Sequence, residues 1–221
     1  MTDALINVNG SSVQSLDIIL LMAVVTLLPS IVVMMTSFTR YIIVLSFLRT
    51  AMGTQQAPPN MVLVGMALIL TLFTMTPTLD AVKTEAYDPY AAGVITQEEF
   101  YDQAQAPLKR FMLRNTTIPS LELYCNMADV PVPENKDTAV DLPLRVVLPS
   151  FVTTELQRAF EIGFFLYIPF LLIDIIVSCT LMSMGMVMLP PSMISTPFKI
   201  LLFIMLDGWH LLFSTLIQTV N

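Results

Sequence analysis

The sequence predicts an all-α, membrane-associated fold: two long, kinked helical hairpins with a small helical extracytoplasmic insert between them. Three observations carry this expectation. Hydrophobic residues make up 55% of the 221 residues and charged ones only 12%, with a mean hydropathy of +0.75, whereas a soluble domain carries about 25% charged residues. The charges are also segregated: of 27, 19 lie between Asp80 and Arg158, leaving eight for the other 142 residues. Finally, the apolar runs come in two pairs, and each pair is joined by a segment containing a double proline, Pro58-Pro59 or Pro190-Pro191. A chain with so little polarity cannot cover a globular surface, which excludes a soluble cytoplasmic enzyme.

The expected organisation is an N-terminal tail (1–15), a first apolar hairpin (16–79), a polar helical insert (80–148) and a second apolar hairpin (149–221). The first run, Leu16 to Phe38, has no charge after Asp17 and is long enough to span about 30 Å of hydrocarbon. It continues through Arg40 to Leu48, and Pro29 is the expected kink. Its flank is polar and acidic (Asp3, Asp17) and lacks a basic n-region, so the run is not itself a secretory signal peptide; any such peptide of a precursor would precede Met1. Arg49 to Asn60, with Gly53 and Pro58-Pro59, reads as a turn, and Met61 to Leu79 is an uncharged run that completes a hairpin.

The insert is different in kind. Thr96-Gln97-Glu98-Glu99 is a capping-box pattern that starts a polar helix over Thr96–Arg114, and Asp129 to Pro143 is a Pro/Asp-rich connector. Helical character returns in Phe151–Leu189, interrupted by Glu155, Arg158, Glu161 and Asp174. Pro190-Pro191 ends that stretch, and Ile194–Val220 is apolar apart from Lys199, Asp207 and His210. Arg40 and Arg49 are the cations near the first turn, and the insert is net acidic. This places both proline turns on the cytoplasmic side and the insert outside.

No basic run or zinc-finger spacing points to nucleic acid. Cys125 and Cys179 fall in dissimilar segments and are not expected to pair; one histidine, His210, is too few for a His-based metal site, and no cofactor is expected. Four charges stand in apolar helices: Arg40, Asp174, Lys199 and Asp207. A charge at the bilayer centre costs from about 2.5 to over 10 kcal/mol, so such groups pair or face water. Two readings stay open, mutual pairing that fixes helix register, or bonding to a neighbouring subunit or an aqueous path. An Asp174/Asp207 catalytic dyad lacks the surrounding motifs of an intramembrane aspartyl protease, and no nucleophile elbow, phosphate loop or zincin helix occurs.

Sixteen methionines include Met182, Met184, Met186 and Met188, in a stretch that holds Gly185 and runs into Pro190-Pro191. Spacing of two scatters these side chains over several helical faces, and Gly185 argues against an intact helix there. Ordinary helix-end packing and a loop presenting deformable thioethers both fit the spacing.

Three stretches resemble the FliP family, a core component of the flagellar type III export gate with a counterpart in injectisomes. The first is Thr36-Ser37-Phe38-Thr39-Arg40-Tyr41 through Leu48-Arg49 and Gly53-Thr54-Gln55-Gln56-Ala57-Pro58-Pro59-Asn60. The second is Pro149-Ser150-Phe151-Val152-Thr153-Thr154-Glu155-Leu156 through Ile168-Pro169-Phe170 and Ile173-Asp174. The third is the methionine stretch with Leu189-Pro190-Pro191, followed by Pro197-Phe198-Lys199 and Asp207-Gly208-Trp209. The resemblance implies a helical ring of five copies with FliQ and FliR, within an apparatus that includes FlhA and FlhB, at the flagellar basal body in the bacterial inner membrane. Its implied partners are these proteins, unfolded export substrates and membrane lipid, and the helices can lie partly above the bilayer plane. It implies a methionine gasket over Gly185–Leu189, lined chiefly by Met184, Met186 and Met188, with Val187 interrupting the methionine run. It implies a carboxylate of another subunit as the partner of Lys199. Asp129–Pro133 and Asp141–Val147 look like the flagellar branch rather than the injectisome branch. The competing readings are the homologous injectisome export-gate subunit, a small ion or proton transporter that uses the four charges as a relay, and an intramembrane hydrolase.

Overall fold

The computed structural model describes residues 5–8, 11–133, 138–186 and 188–220. The tail carries a two-stranded antiparallel hairpin, β1 (Leu5–Val8) and β2 (Ser11–Gln14), with Leu5 opposite Gln14. Every later regular element among the described residues is helical.

Helix α1 (Ser15–Met35) leads into α2 (Phe38–Met52). Pro29 lies inside α1, but the chain changes direction later, at Thr36–Ser37, where the segment Pro29–Met35 and α2 meet at 82°. Hydroxyls account for the position of this elbow. Thr39 Oγ1 donates to Val33 O at 2.8 Å and Thr36 Oγ1 accepts from the Phe38 N–H at 3.4 Å, offering the backbone alternatives to the helical ladder. Ser37 Oγ then meets Thr74 Oγ1, on the helix that follows α2, at 3.0 Å.

The buried face of α2 reads Tyr41, Val44, Leu45, Leu48 and Ala51, the spacing of a helical stripe facing a core. It packs against Leu63, Ala67 and Leu70 of α3 (Asn60–Val82) and against Phe151 and Ala159 of α7 (Leu144–Ser183). The turn from α2 to α3 begins at Gly53, in the left-handed conformation with φ 73°. Arg49 Nη1 closes this turn by donating to Asn60 Oδ1 and to Pro58 O. The Ala57–Pro58 peptide is cis.

Beyond α3 the helix continues through a π-helical turn (Lys83–Tyr87) into the short α4 (Asp88–Ala91). The insert is completed by α5 (Gln97–Asn115), α6 (Ile118–Met127) and a 3-10 turn (Thr138–Asp141). It docks on α7 (Leu144–Ser183) through hydroxyls: Tyr124 Oη meets Thr153 Oγ1 at 2.9 Å, and Thr154 Oγ1 accepts the Thr117 N–H at 3.2 Å. At 40 residues, α7 is about 60 Å long. It starts ahead of Pro149, so the insert and the second hairpin share one helix across the expected boundary at 148/149. Gly163 lets α2 approach it, since a Cβ there would lie 2.6 Å from the Phe47 ring.

After α7 come α8 (Pro191–Met205) and α9 (Gly208–Gln218), set at 66° to each other. The expected continuous run Ile194–Val220 therefore bends. Asp207 at the elbow takes φ 48°, and a Cβ on Gly208 would sit 2.3 Å from Phe203. Two continuous helical segments, Asn60–Ala91 and Leu144–Ser183, are long and apolar enough to cross a membrane, and each bent pair passes the same test when its two helices are taken together.

The expected capping box is present. The Thr96 N–H donates to Glu99 Oε2 at 2.7 Å, and Thr96 Oγ1 accepts from the Glu99 N–H at 3.3 Å. The backbone N–H of Thr96 and, after it, the Thr96 hydroxyl hold the Glu99 carboxyl below the usual carboxylate range. A depressed folded-state pKa contributes stability that is present above the unfolded value and lost as pH falls through the folded one. We expect Thr96→Ala to destabilise the α5 start by about 1 kcal/mol. Hydrogen exchange at the first α5 amides should show faster exchange in the variant at neutral pH, and the difference should shrink as the pH is lowered through the Glu99 titration.

Candidate functional site

Two polar nodes sit inside the apolar helices. In the first, Arg40 of α2 is fully buried and faces Glu155 of α7, with side-chain exposures of 0% and 1%. Arg40 Nε donates to Glu155 Oε2 at 2.7 Å and Nη2 donates to Oε1, a bidentate fork. Nη1 donates to Thr219 O at 2.7 Å and to Thr219 Oγ1 at 3.1 Å, just past the end of α9. One guanidinium thus joins α2 and α7 to the end of α9 and compensates one carbonyl, Thr219 O, at that helix end.

In the second node, Lys199 of α8 donates to Asp174 Oδ2 of α7 at 2.6 Å and to Ala51 O at 3.0 Å. Ser195, one turn earlier on α8, donates to Asp174 Oδ1 at 2.6 Å. The ammonium therefore also sits at the C-terminal end of α2, where a cation complements the helix dipole. Arg40 and Ala51 are eleven residues apart on α2, about 16 Å along its axis. The two nodes are separate, and each pairs a cation with a carboxylate.

These placements distribute the four charges of the apolar helices. Within the chain Lys199 pairs with Asp174, because the hairpin turn brings α8 back along α7. Asp207 pairs with none of the other three within the described residues. It is exposed at the α8–α9 elbow, where a short polar side chain tolerates the left-handed backbone. Glu155 takes its place. The sequence marked Glu155 only as an interruption of an apolar run, and its contact with Arg40 spans 115 positions. The available signal was its neighbourhood: Ser150, Thr154 and Glu155 are all buried on one stretch of an otherwise apolar helix.

The methionine segment forms the turn between α7 and α8. Met186 N–H donates to Leu181 O at 3.0 Å and Gly185 N–H donates to Met182 O at 3.0 Å, with Gly185 at φ 74°. This is a Schellman ending, and it stops α7 where glycine can take the left-handed turn. Pro190 and Pro191 then start α8, since a proline in the first turn forfeits only an N–H that lacks a helical partner anyway. Pro58 and Pro59 stand in the same way ahead of α3. Met182, Met184, Met186 and Met188 are all exposed, Met184 at 68% and Met188 at 98%. Val187 lies outside the described residues. Cys125 and Cys179 are both free thiols.

Residues 21–216 match the FliP family. The chain belongs to the FliP family. It is 45% identical to the flagellar biosynthetic protein FliP of Aquifex aeolicus (strain VF5), over 95% of this chain and 87% of the relative. It is 47% identical to the protein of the same name from Bacillus subtilis (strain 168), over 93% of this chain and 92% of the relative. For the FliP of Pectobacterium carotovorum subsp. carotovorum the identity is 46%, over 99% and 84%. The FliP-family stretches in this chain thus have a physical content. Thr36–Tyr41 builds the α1–α2 elbow and supplies Arg40, Ser150–Glu155 docks the insert and receives Arg40, and Asp174 with Lys199 fixes α8 on α7.

Removing one partner of a buried pair costs about 3–5 kcal/mol. Asp174 is one-third exposed, so Asp174→Ala should cost less, about 2–3 kcal/mol, by stranding the Lys199 ammonium. Glu85→Ala, which breaks the half-exposed Glu85–Arg110 pair in the insert, should cost under about 1 kcal/mol. Thermal unfolding of the two variants in the same detergent should show a clear loss for the first and little change for the second.

Proposed function

We propose that this chain is a pore-lining core subunit of the flagellar type III protein export gate, in the bacterial inner membrane at the flagellar basal body. In this reading several copies, five by family resemblance, form a ring with FliQ and FliR and work beside FlhA and FlhB, with the insert on the extracytoplasmic side. Unfolded flagellar proteins are the cargo. The relatives' common name, flagellar biosynthetic protein, supports the pathway.

The exposure of the methionine turn carries the reading. A long apolar side chain that is almost wholly exposed, as Met188 is, has no role in holding this chain together. Around an axis, several such turns would make a narrow apolar constriction that excludes water and ions by dewetting. Thioether side chains are unbranched and adaptable, so the constriction yields to a passing polypeptide and reseals behind it. The charge nodes do not favour an ion or proton relay, because they are separate, each a cation already paired with a carboxylate.

Replacing Met184, Met186 and Met188 together by Ala should raise ion conductance through the purified, reconstituted complex severalfold while export is at least partly retained. Conductance equal to that of the unaltered complex would overturn the gasket assignment.

A further inference from the structure

Building on the gasket reading above, we propose that the methionine turn is also an oxidation site. A peroxide converts its thioethers to sulfoxides and unseals the channel, which closes again when the sulfoxides are reduced.

Four methionines, Met35, Met52, Met75 and Met112, are built into the core. There an oxidant has no access and a polar sulfoxide has no room. Met182, Met184, Met186 and Met188 stand outside the core, and even the least exposed of them, Met186, is 40% exposed. The backbone around them is held by its own bonds, from the Met184 N–H to Thr180 O at 3.1 Å and from the Leu189 N–H to Met186 O at 3.4 Å. A Cβ added to Gly185, at the centre of the turn, would meet nothing within 4 Å. The turn is therefore open to a small oxidant, and its backbone does not depend on the side chains that react.

Thioether oxidation needs no deprotonated nucleophile, so the turn requires no neighbouring base. A sulfur lone pair attacks one oxygen of hydrogen peroxide, and an S–O bond forms as the O–O bond breaks. The departing hydroxide takes the proton of the transferred hydroxyl and leaves as water; the sulfur is oxidised by two electrons and the peroxide is reduced by two. The product is a polar, chiral side chain in place of a flexible apolar one. Dewetting depends on an apolar lining, so a strong hydrogen-bond acceptor on several turns around one axis admits water, and ions follow it. The two stereospecific methionine sulfoxide reductases restore the thioether. Met127, exposed at the end of α6 in the insert, reacts by the same chemistry but lies outside the turn, which makes it an internal control.

The test uses the full chain purified with its partner subunits, carrying Cys179→Ser to remove the exposed thiol, and reconstituted in a planar bilayer. Each complex is compared with itself before and after hydrogen peroxide, at a dose that converts Met127 to its sulfoxide by peptide mass spectrometry. The expected result is sulfoxide at Met184, Met186 and Met188, a severalfold rise in ion conductance, and a return to the starting value after treatment with both reductases. The complex carrying Met184→Leu, Met186→Leu and Met188→Leu together should show no rise, whatever its starting conductance. Turn methionines left unmodified while Met127 is oxidised would overturn the proposal, as would an equal rise in the Leu variant or a rise that outlasts reduction of the sulfoxides. Sulfoxides on the turn without a rise overturn it too. In that case a leaking Met→Ala complex leaves the gasket reading standing, whereas a tight one overturns both.

Discussion

The buried Arg40 guanidinium is the constraint on which the rest of the structure depends. A cation sealed inside an apolar chain must have its charge answered and its N–H groups filled, and here the answer comes from two distant places at once. Glu155 supplies the charge from α7, and Thr219 supplies a carbonyl and a hydroxyl beyond α9. The fork geometry of Arg and carboxylate fixes the rotation and axial register of α2 against α7, while the bond to Thr219 ties down the chain's last turn. Lys199 repeats the logic at the other end of α2, where it meets both Ala51 O and Asp174. Helix α2 is thus the spine of the molecule, pinned at its start by one ion pair and at its end by another. Between the pins, Tyr41, Val44, Leu45 and Leu48 make the core that the pins hold in register.

Because both pairs close inside the chain, what remains on the outside is apolar. Phe160, Phe164, Phe165 and Leu172 of α7 and Ile69, Leu72 and Phe73 of α3 are exposed on helices that carry almost no other surface chemistry. Such surface is stable only against lipid or against other subunits, and the low charge count follows from that. The polar insert is the exception. It keeps the ordinary devices of a water-facing helical unit, a capping box at Thr96 and an exposed Glu85–Arg110 pair.

Features written in a few neighbouring residues were legible in the sequence. The capping box at Thr96–Glu99, the turn at Gly53–Pro59 and the end of α7 at Gly185 all depend on local backbone chemistry, and composition alone marked out the insert. Two elbows were missed because hydroxyls and a left-handed aspartate, rather than a proline, set them. Pro29 drew the expected kink, but Thr39 and Thr36 place the bend at Thr36–Ser37. Asp207, grouped in the sequence with the charges of the apolar helices, takes the left-handed backbone at the α8–α9 elbow. The identity of the ion pairs was hidden for a different reason. Pairing of residues 115 positions apart leaves no local pattern, and an apolar helix interrupted by Glu155, Arg158, Glu161 and Asp174 offers several equivalent candidates to a reader who cannot see which face each occupies.

The central claim is that Arg40 and Glu155 act as one unit inside a single chain. A double-mutant cycle in detergent, with Arg40→Met, Glu155→Leu and the pair combined, tests it directly. The account predicts that each single variant loses about 3–5 kcal/mol by leaving a buried charge without its partner, whereas the combined variant loses much less than the sum. Losses that simply add would contradict the account, because they would mean that the two side chains are held by something other than each other.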